Sequence, residues 1–509
     1  TNLFGNKEVQ KTITPNWVKP IAIDLNARFE ENGSYQYVLL DLQDHVAKES
    51  LYRHYALKLF NSDGVQSFST INITFDPSYQ KLEFHQLDII RNGKRINKLT
   101  NCKIDILQRE ERLERSLYDG RLSAVITLDD VLESDIIEYS YSINGFNPIH
   151  DGHYSRTFYM QYDVPINHSY YRVVHPSDQK IDYKLFDGAS NPIIIKSKDS
   201  QELIWEDQDI ALKLYDNNVP VWYYEQARVK LSSYNNWEEV VNWALPLYNY
   251  DPSQIKSIAK RLSDNESKDK RILAYIRAVQ DEVRYLGFES GISAFKPHPP
   301  SQIYEQKFGD CKDKSLLLVT LLRYEGLDAN PMLVNSELKK EIVNDIPTYA
   351  SFDHCVVQLN YEGNEYFIDP TISDQGGSLD VNYFPDYGSG LLIKEGEKSL
   401  TELPVSSFEK SSIIVSESFD LDTIGGKALF EIITEYTGTK ADYFRSYFKS
   451  NTLESIQEAY LDYYSGLYPS IQYNQDISVE DSYRIDQNKF IVKESYRIPN
   501  FWSFNEGEN

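Results

Sequence analysis

Between about residue 30 and residue 230, apolar and polar residues alternate in short runs that turn-forming residues separate. Clear examples are SYQYVLLDLQ, YRHYALKLF and IIEYSYSING, which begin at residues 34, 52 and 136. Alternation with a period of two is typical of strands that bury one face. The dipeptide Asn92-Gly93 lies between two further runs and is a signal for a two-residue hairpin turn. The pattern predicts an antiparallel β-sandwich and shows no chemistry of its own.

From about residue 231 the apolar positions recur every three to four residues, which predicts helices. Trp237, Val240, Val241 and Ala244 have this spacing behind an asparagine-rich cap. A second helix is predicted after Asp251-Pro252. A third is predicted across RILAYIRAVQDEVRYLG, beyond the polar linker SDNESKDK at residues 263–270.

The proline-rich segment FKPHPPSQ, residues 295–302, is predicted to be an extended loop because its three prolines oppose helix formation. This loop leads to Cys311 and then to residues 316–322, which are apolar nearly all round and predict a buried helix. Three successive strands are predicted next, across ANPMLVNS, FDHCVVQLNY and NEYFIDPT.

After about residue 410, two strand pairs are predicted on either side of a helix, LESIQEAYLDYYSGLY, which gives a smaller α+β unit. The chain therefore divides into a β-sandwich at 1–230, a central α+β core at 231–405 and a β-rich domain at 406–509. A length of 509 residues also suggests about three domains, at roughly 150 residues each. The ending FWSFNEGEN has no clear finishing element, so we expect the parent chain to continue.

Composition narrows the classes of function. Acidic residues outnumber basic ones by 77 to 52, and the formal net charge of −25 argues against nucleic acid, anionic membranes and acidic substrates as partners. No window approaches the ~18 uninterrupted apolar residues that a membrane span requires. The chain begins at Thr1 without methionine, and we expect that an amino-terminal segment was removed. The oligomeric state cannot be predicted from these features.

Three cysteines, Cys102, Cys311 and Cys355, are too few for a disulfide framework, and no CxxC spacing suggests zinc. The pair His150 and His153 in HDGH has the spacing of metal ligands but lacks further ligands nearby. We therefore expect neither a metal nor another cofactor.

Cys311 lies where a nucleophile could be activated. Asp310 is placed to cap the helix that follows, and Asp313 supplies an acidic form of the capping box. Unpaired backbone N–H groups and the positive end of the helix dipole then favour a thiolate at Cys311. Lys312 and Lys314 are expected to be exposed and to add little. By itself this stretch is more typical of a small buried hydrophobic residue than of a nucleophile.

A partner base for Cys311 is found on the second of the predicted strands. Alternation puts His354 on one face and Cys355 on the other, where Cys355 is interpreted as core. If Glu362-Gly363 forms a two-residue turn, Asp369 becomes a diagonal cross-strand neighbour of His354, at about 7–8 Å between Cβ atoms. The ordered set of Cys, His and Asp favours catalysis over isolated structural roles.

His298 in KPHPP is a rival base, but it lies in a proline-rich loop with no acid following it. The side chain of His354, with an acid placed to orient it, is the better candidate.

The segments GDCKDKSLLLVTLLRYEGLDANPMLV, DHCVVQL and YFIDPT resemble the bacterial transglutaminase-like core of the papain-type cysteine proteinase superfamily. The segments VRYLGFESG and NNWEEVVNWA are similar to the amino-terminal helices of that core. The first 230 residues resemble the β domain of unknown function that precedes such cores in Bacteroidetes proteins, and TEYTGTKADYFRSYF and KESYRIPNFW resemble their usual third domain. The resemblance implies a catalytic triad of Cys311, His354 and Asp369, and export to the periplasm or cell surface.

Such a triad predicts acyl transfer through a thioester, which water resolves in a peptidase or amidase and an amine resolves in a transglutaminase. The N–H of Cys311 is the expected first oxyanion donor, and Gln302, Gln306 and Tyr285 are candidates for the second. The partner would be a peptide or protein substrate. The alternative is a catalytically silent binding or assembly protein of the cell surface or periplasm that uses the core as a scaffold.

Overall fold

The computed structural model describes residues 8–30, 33–108, 117–118, 120–216, 218–263, 267–288, 291–405 and 411–502. Two of the segments discussed above lie partly outside this part of the chain: residues 503–509 of the ending FWSFNEGEN and residues 264–266 of the polar linker. The molecule is a multidomain α+β protein with several separate sheets.

The first part of the chain is almost entirely β-structure, as its alternating pattern predicts. Besides the short helix α1 (Ser62–Phe68), it contains strands β1 (Val9–Lys11), β2 (Tyr35–His45), β3 (Ser50–Leu59), β4 (Thr70–Phe75), β5 (Lys81–Arg91), β6 (Lys94–Asn97), β7 (Asp105–Gln108), β8 (Leu117–Tyr118), β9 (Leu122–Thr127), β10 (Ile136–Asn144), β11 (Ser155–Tyr159), β12 (Ile166–Pro176), β13 (Asp182–Phe186), β14 (Ile193–Lys196), β15 (Ser200–Ile210) and β16 (Arg228–Ser232).

All of these strands except β8 form a sandwich, with one large sheet packed against two small ones. Strand β8 pairs instead with residues 287–288 of the central part. The large sheet has nine strands in the order β1-β5-β10-β3-β2-β12-β15-β14, with β6 paired to β5. One end of it packs on the sheet β4-β9-β7 through a core that includes Leu57 and Phe75. The other end packs on β11-β16-β13 through a core that includes Trp205 and Val229.

The prediction that this sandwich is antiparallel is wrong in two places. Strand β1 runs parallel to β5, and β12 runs parallel to β2. Alternation reports which face of a strand is buried but carries no information on its direction, so the pattern could not distinguish these pairs. The predicted hairpin at Asn92-Gly93 is confirmed: Arg91 pairs with Lys94, and both turn residues have positive φ, 50° and 74°.

The central part combines helices with a five-stranded antiparallel sheet in the order β22-β21-β20-β23-β24. Its elements are α2 (Trp237–Ala244), α3 (Lys256–Leu262), α4 (Lys268–Glu282), β17 (Arg284–Tyr285), β18 (Gly287–Phe288), α5 (Pro300–Gln306), β19 (Phe308–Gly309), α6 (Cys311–Tyr324), β20 (Asp328–Val334), β21 (His354–Tyr361), β22 (Asn364–Ile368), β23 (Ser389–Leu392) and β24 (Thr401–Glu402).

Helix α6 lies between the sheet and helix α4. Leu317, Leu318 and Leu321 are fully buried on it, in one core with Ile276 of α4 and Val357 of β21. Eleven consecutive residues of α6, from 312 to 322, are buried. The apolar run predicted such a central helix, and its rigidity fixes the position of the residue at its start.

The predicted extended loop at residues 295–302 is only partly correct. Pro300 opens helix α5, which separates the proline-rich segment from Cys311 together with the two-residue strand β19. Proline is compatible with the first helical position, where its missing N–H has no intrahelical partner to lose. Three prolines therefore marked the start of a helix as well as the loop before it.

The last part of the chain is a four-stranded antiparallel sheet in the order β25-β26-β28-β27. Its elements are β25 (Ile413–Leu421), β26 (Ala428–Thr437), α7 (Thr439–Ser450), α8 (Leu453–Ser465), β27 (Gln472–Glu480), α9 (Arg484–Gln487) and β28 (Lys489–Ile498). The two strand pairs and α8 agree with the prediction, whereas α7 was missed. Arg484 holds this part against the central one, with its Nη2 at 2.7 Å from Oδ2 of Asp281.

None of the helices that the structure describes is long and apolar enough to cross a membrane.

Candidate active site

Cys311 is the first residue of α6, and the predicted capping box forms in front of it. Oδ1 of Asp310 accepts a hydrogen bond from the Asp313 N–H at 3.2 Å, and Oδ2 of Asp313 accepts one from the Asp310 N–H, also at 3.2 Å. The box satisfies two backbone donors and stops the helix from starting elsewhere. The sulfur is thereby held at the positive end of a buried helix.

The two lysines beside Cys311 are buried, so the prediction that they are exposed is wrong. Lys312 forms an ion pair with Asp310, and Nζ of Lys314 donates to the carbonyl oxygens of Gln280 at 3.2 Å and Val283 at 2.6 Å. After the partly exposed Cys311, the first turn of α6 is buried, so its charged residues are enclosed too. Burial lowers the pKa of Lys314 to about 8.

The hairpin that carries the other two candidates forms as predicted. Tyr361 pairs with Asn364 across Glu362 and Gly363, whose φ angles of 53° and 82° belong to a two-residue hairpin turn. This register makes His354 and the residue after β22, Asp369, diagonal neighbours. Nε2 of His354 lies 3.0 Å from Oδ2 of Asp369.

Asp369 is buried and held by three side chains. Besides His354, the Tyr387 hydroxyl donates to Oδ2 at 2.6 Å, and Thr371 donates to Oδ1 from its hydroxyl at 2.6 Å and from its N–H at 2.8 Å. Burial raises the pKa of Asp369, but these hydrogen bonds outweigh it and the pKa falls below its usual value. The group therefore stays a carboxylate. Sequence reasoning missed Tyr387, because it lies in an irregular segment that no periodic pattern marks.

His354 lies between a carboxylate and a thiol. Burial lowers its pKa, but hydrogen bonds with Asp369 and with Cys311, and the charges of both, raise the pKa well above its usual value. Asp369 occupies Nε2, which leaves Nδ1 for the sulfur. The raised pKa favours the protonated form of the ring, and the contact with Asp369 fixes its orientation.

A cleft of about 360 Å³ opens above Cys311 and His354. Lys312 and Asp310 lie on its floor, and its walls are mainly aromatic: Trp243, Tyr248, Tyr285, Phe295, Tyr349 and Phe352. Apolar walls with a few polar groups at the base are typical of ligand sites. Cys355 also borders the cleft but is 1% exposed, and it packs in the core as predicted.

Of the three candidates for a second oxyanion donor, Tyr285 lines the cleft. Gln306 donates from Nε2 to the Phe308 carbonyl oxygen at 2.8 Å, and Gln302 donates to Oε1 of Gln306 at 3.3 Å. These two amides are therefore directed at their own segment of chain.

The rival base His298 does have an acidic partner, contrary to the prediction. Its Nδ1 lies 3.2 Å from Oδ1 of Asp313, and its N–H donates to the same oxygen at 2.7 Å. The acid comes from α6, beyond α5, instead of the same segment, which a local reading of KPHPP could not show. His298 is not among the residues that line the cleft with Cys311.

The residues of HDGH lie in separate aromatic stacks. His150 stacks on Tyr349 and His153 on Tyr234, each with ring centroids 3.9 Å apart. Across the described ranges of the chain, no group of three or more His, Cys, Asp and Glu side chains is arranged to hold a metal ion.

Part of the chain matches a known family model, and most of the chain is similar in fold to a solved structure. Residues 47–213 match a family model described as a domain of unknown function with a solved structure, DUF3857. A crystal structure described as a "putative protease" from Parabacteroides distasonis is 11% identical, with a TM-score of 0.59 over 92% of this chain and 93% of that chain. At this identity the similarity shows a common fold only. No curated protein matches the chain significantly.

Two further solved structures align with much lower scores, which support no structural argument. One is a "putative cysteine protease" from Cytophaga hutchinsonii, 12% identical over 49% of this chain and 84% of that chain, with a TM-score of 0.22. The other is red sea bream transglutaminase, 9% identical over 76% of this chain and 67% of that chain, with a TM-score of 0.19.

Proposed function

We propose that this protein is a thiol-dependent acyl-transfer enzyme in which Cys311, His354 and Asp369 form the catalytic triad. The observation that carries the proposal is the position of the His354 ring, between the Asp369 carboxylate at 3.0 Å and the Cys311 sulfur at the start of a buried helix. An activated thiol requires a base and a group that orients the base. Cys311 and His354 line one cleft, and the buried Asp369 contacts the His354 ring.

In the proposed reaction the Cys311 thiolate attacks the carbonyl carbon of an amide. A sulfur–carbon bond forms, the carbon–nitrogen bond breaks, and the leaving amine takes a proton from His354. The neutral imidazole then accepts a proton from water or from a second amine, which attacks the thioester and releases the thiol. Water gives hydrolysis of a peptide or amide, and an amine gives a crosslink.

The negative oxygen of the tetrahedral intermediate would be stabilised by the N–H of Cys311 at the helix start. We assign the second donor to Tyr285, because it lines the cleft and the competing glutamines do not. Asp369 fixes the orientation of His354, and Tyr387 and Thr371 fix that of Asp369.

We further propose a peptide or protein as substrate and a location in the periplasm or at the cell surface. The protease name of the similar structure from Parabacteroides distasonis supports the first proposal, and the sequence resemblance to exported Bacteroidetes proteins supports the second.

The test is selective alkylation of the purified chain by iodoacetamide at pH 7, read for each cysteine by mass spectrometry. We expect Cys311 to react at least about tenfold faster than Cys102, because an imidazolium neighbour favours the thiolate. A peptide library incubated with and without added amine then identifies the acyl acceptor. Cys102→Ser is the matched control and should retain turnover, whereas Cys311→Ala should lose it.

The outcome that would overturn this function is a Cys311 no more reactive than Cys102, together with peptide binding that Cys311→Ala leaves unchanged. That result would identify a binding or assembly protein that uses the same fold.

A further inference from the structure

A second cavity, of about 230 Å³, adjoins the cleft that contains Cys311. The two share three lining residues, Ala294, Phe295 and Tyr349. Its remaining walls come mostly from the first part of the chain, so it lies where the β-sandwich meets the central part. The two cavities are therefore direct neighbours.

The position of this second cavity relative to Cys311 is fixed by a loop of the sandwich, residues 145–153. The His150 ring stacks on Tyr349 with centroids 3.9 Å apart and meets Phe295 edge-on at 4.7 Å. Nε1 of Trp243, another residue of the cleft wall, donates to the carbonyl oxygen of Ile149 at 2.8 Å. The sandwich is therefore packed into the wall of the cleft.

The charge of the cavity opposes that of the protein. Arg121 and Arg156 line it, and the lining residues include no aspartate or glutamate, although the chain has a net charge of −25. His150 and His153 also line it, and burial lowers the pKa of both, that of His150 to about 4. At neutral pH the positive charge of the cavity comes from the two arginines.

The acid nearest to Arg156 is already neutralised by other groups. Asp44 accepts hydrogen bonds from Nη1 of Arg53 and from the Tyr154 hydroxyl, both at 2.7 Å. Nε of Arg156 lies farther from this carboxylate, at 3.8 Å, and is buried without a hydrogen-bond partner among the described residues. A buried donor of this kind favours a bound acceptor.

We propose that this cavity is a substrate subsite that binds a carboxylate of the peptide acted on at Cys311. The inference rests on the proposed function and extends it to the substrate. Guanidinium groups match the planar carboxylate with paired hydrogen bonds. The carboxylate belongs either to an aspartate or glutamate side chain or to the free end of the peptide. The overall charge argued against acidic substrates, and the cavity reverses that expectation locally.

Binding to the full chain carrying Cys311→Ala tests this without requiring turnover. The probes are fluorescent seven-residue alanine peptides with an amidated end and one glutamate, placed at each position in turn. Matched peptides carry glutamine instead, either amidated or with a free carboxyl end. We expect either the best glutamate peptide or the free-acid peptide to bind at least about tenfold more tightly than the amidated glutamine peptide. Which one does so identifies the source of the carboxylate.

Arg156→Gln should remove this preference. Arg156→Lys keeps the charge but not the paired hydrogen bonds of a guanidinium, and it should restore part of the preference. Arg121→Gln changes the second arginine that lines the cavity and should also weaken binding of the acidic probe. Arg497→Gln is the matched control, because Arg497 is exposed on β28 and should leave the preference intact. Thermal melting of each variant reports whether it is folded.

Equal affinity for the three kinds of peptide, or a preference that survives both Arg156→Gln and Arg121→Gln, would overturn the inference. A reactive Cys311 without a carboxylate preference would refute the subsite and leave the acyl-transfer function standing. A carboxylate preference in a protein whose Cys311 is unreactive would refute the enzyme and leave the cavity as a binding site.

Discussion

Two buried histidines, one in the β-sandwich and one in the cleft, have almost the same acidic environment but different neighbours. Nε2 of His54 lies 2.9 Å from Oε1 of Glu138, and Nε2 of His354 lies 3.0 Å from Oδ2 of Asp369. In both cases burial lowers the pKa of the histidine, and its partners outweigh this effect. Asp41 and Glu138 raise the pKa of His54 to about 9, and Asp369 and Cys311 raise that of His354. Unlike His54, His354 also contacts the Cys311 thiol.

His54 has a second carboxylate nearby, that of Asp41, so its surroundings are even more acidic than those of His354. His54 lies on β3 between Asp41 of β2 and Glu138 of β10, so three adjacent strands enclose it. A raised pKa and a short carboxylate contact therefore do not identify a catalytic histidine in this molecule. A neighbouring nucleophile and an open cleft identify it instead, because a general base must reach a reacting proton.

The largest expected effects come from replacing each of the two histidines: one substitution should mainly lower turnover, and the other should mainly lower stability. His354→Gln should lower turnover by about 10⁴-fold, because proton transfer to and from the thiol is lost. It should destabilise the fold less than His54→Gln does, because Tyr387 and Thr371 still donate hydrogen bonds to Asp369. His54→Gln should keep Cys311 reactive but destabilise the fold by about 3–5 kcal/mol, because the buried Asp41 loses its cationic neighbour and Glu138 keeps only its ion pair with Arg95. Alkylation rate and thermal melting of both variants measure the two effects.

The comparison would fail if His354→Gln retained turnover, or if His54→Gln abolished Cys311 alkylation in a protein that is still folded. Arg497→Gln serves as the control for an exposed substitution and should change neither quantity.

A smaller effect is expected from the groups that orient His354. Asp369→Asn should lower turnover by about 10²–10³-fold, because the ring loses the acceptor that fixes its orientation and charge. Tyr387→Phe removes one hydrogen bond to Asp369 and should cost about tenfold. The loss should appear mainly in kcat, and the pH at which Cys311 alkylation reaches half its maximum should move. A change in KM alone would mean that Tyr387 acts on substrate binding instead.

The smallest effect is a pH dependence of stability that belongs to His54. The pKa of His54 is about 9 in the folded protein and near 6.5 in the unfolded chain, so the folded state binds more protons between these values. Its contribution is complete below pH 6.5 and declines as pH rises towards 9. The difference in thermal midpoint between wild type and His54→Gln should therefore be smaller at pH 8 than at pH 6.5. A difference that grows with pH would contradict the assigned charge.

Much of the candidate site followed from local sequence rules. The capping box at Asp310, the turn at Glu362-Gly363 and the alternation along β21 together specify which side chains meet. Each of these depends on residues at most seven positions apart. The burial of Cys355 and of residues 316–322 was predicted for the same reason. The domain division at residues 230 and 405 stays a prediction.

The errors arose where distant segments decide the environment. The burial of Lys312 and Lys314 depends on the packing of α4 and the sheet around α6, and the acid beside His298 comes from a different helix. The parallel pairing of β2 with β12 joins segments more than 120 residues apart. Tyr387 reaches Asp369 from an irregular segment, where no period exists to read.

The packing of the sandwich loop into the cleft wall limits how this protein can be shortened for laboratory work. A fragment that starts near residue 231 would lose the His150 ring from its stack on Tyr349 and the Ile149 carbonyl from Trp243. Both aromatic side chains would then face water on what is now a closed side of the cleft. A fragment that fails to react with a peptide would therefore say nothing about Cys311, and reliable assays need the two parts on one chain.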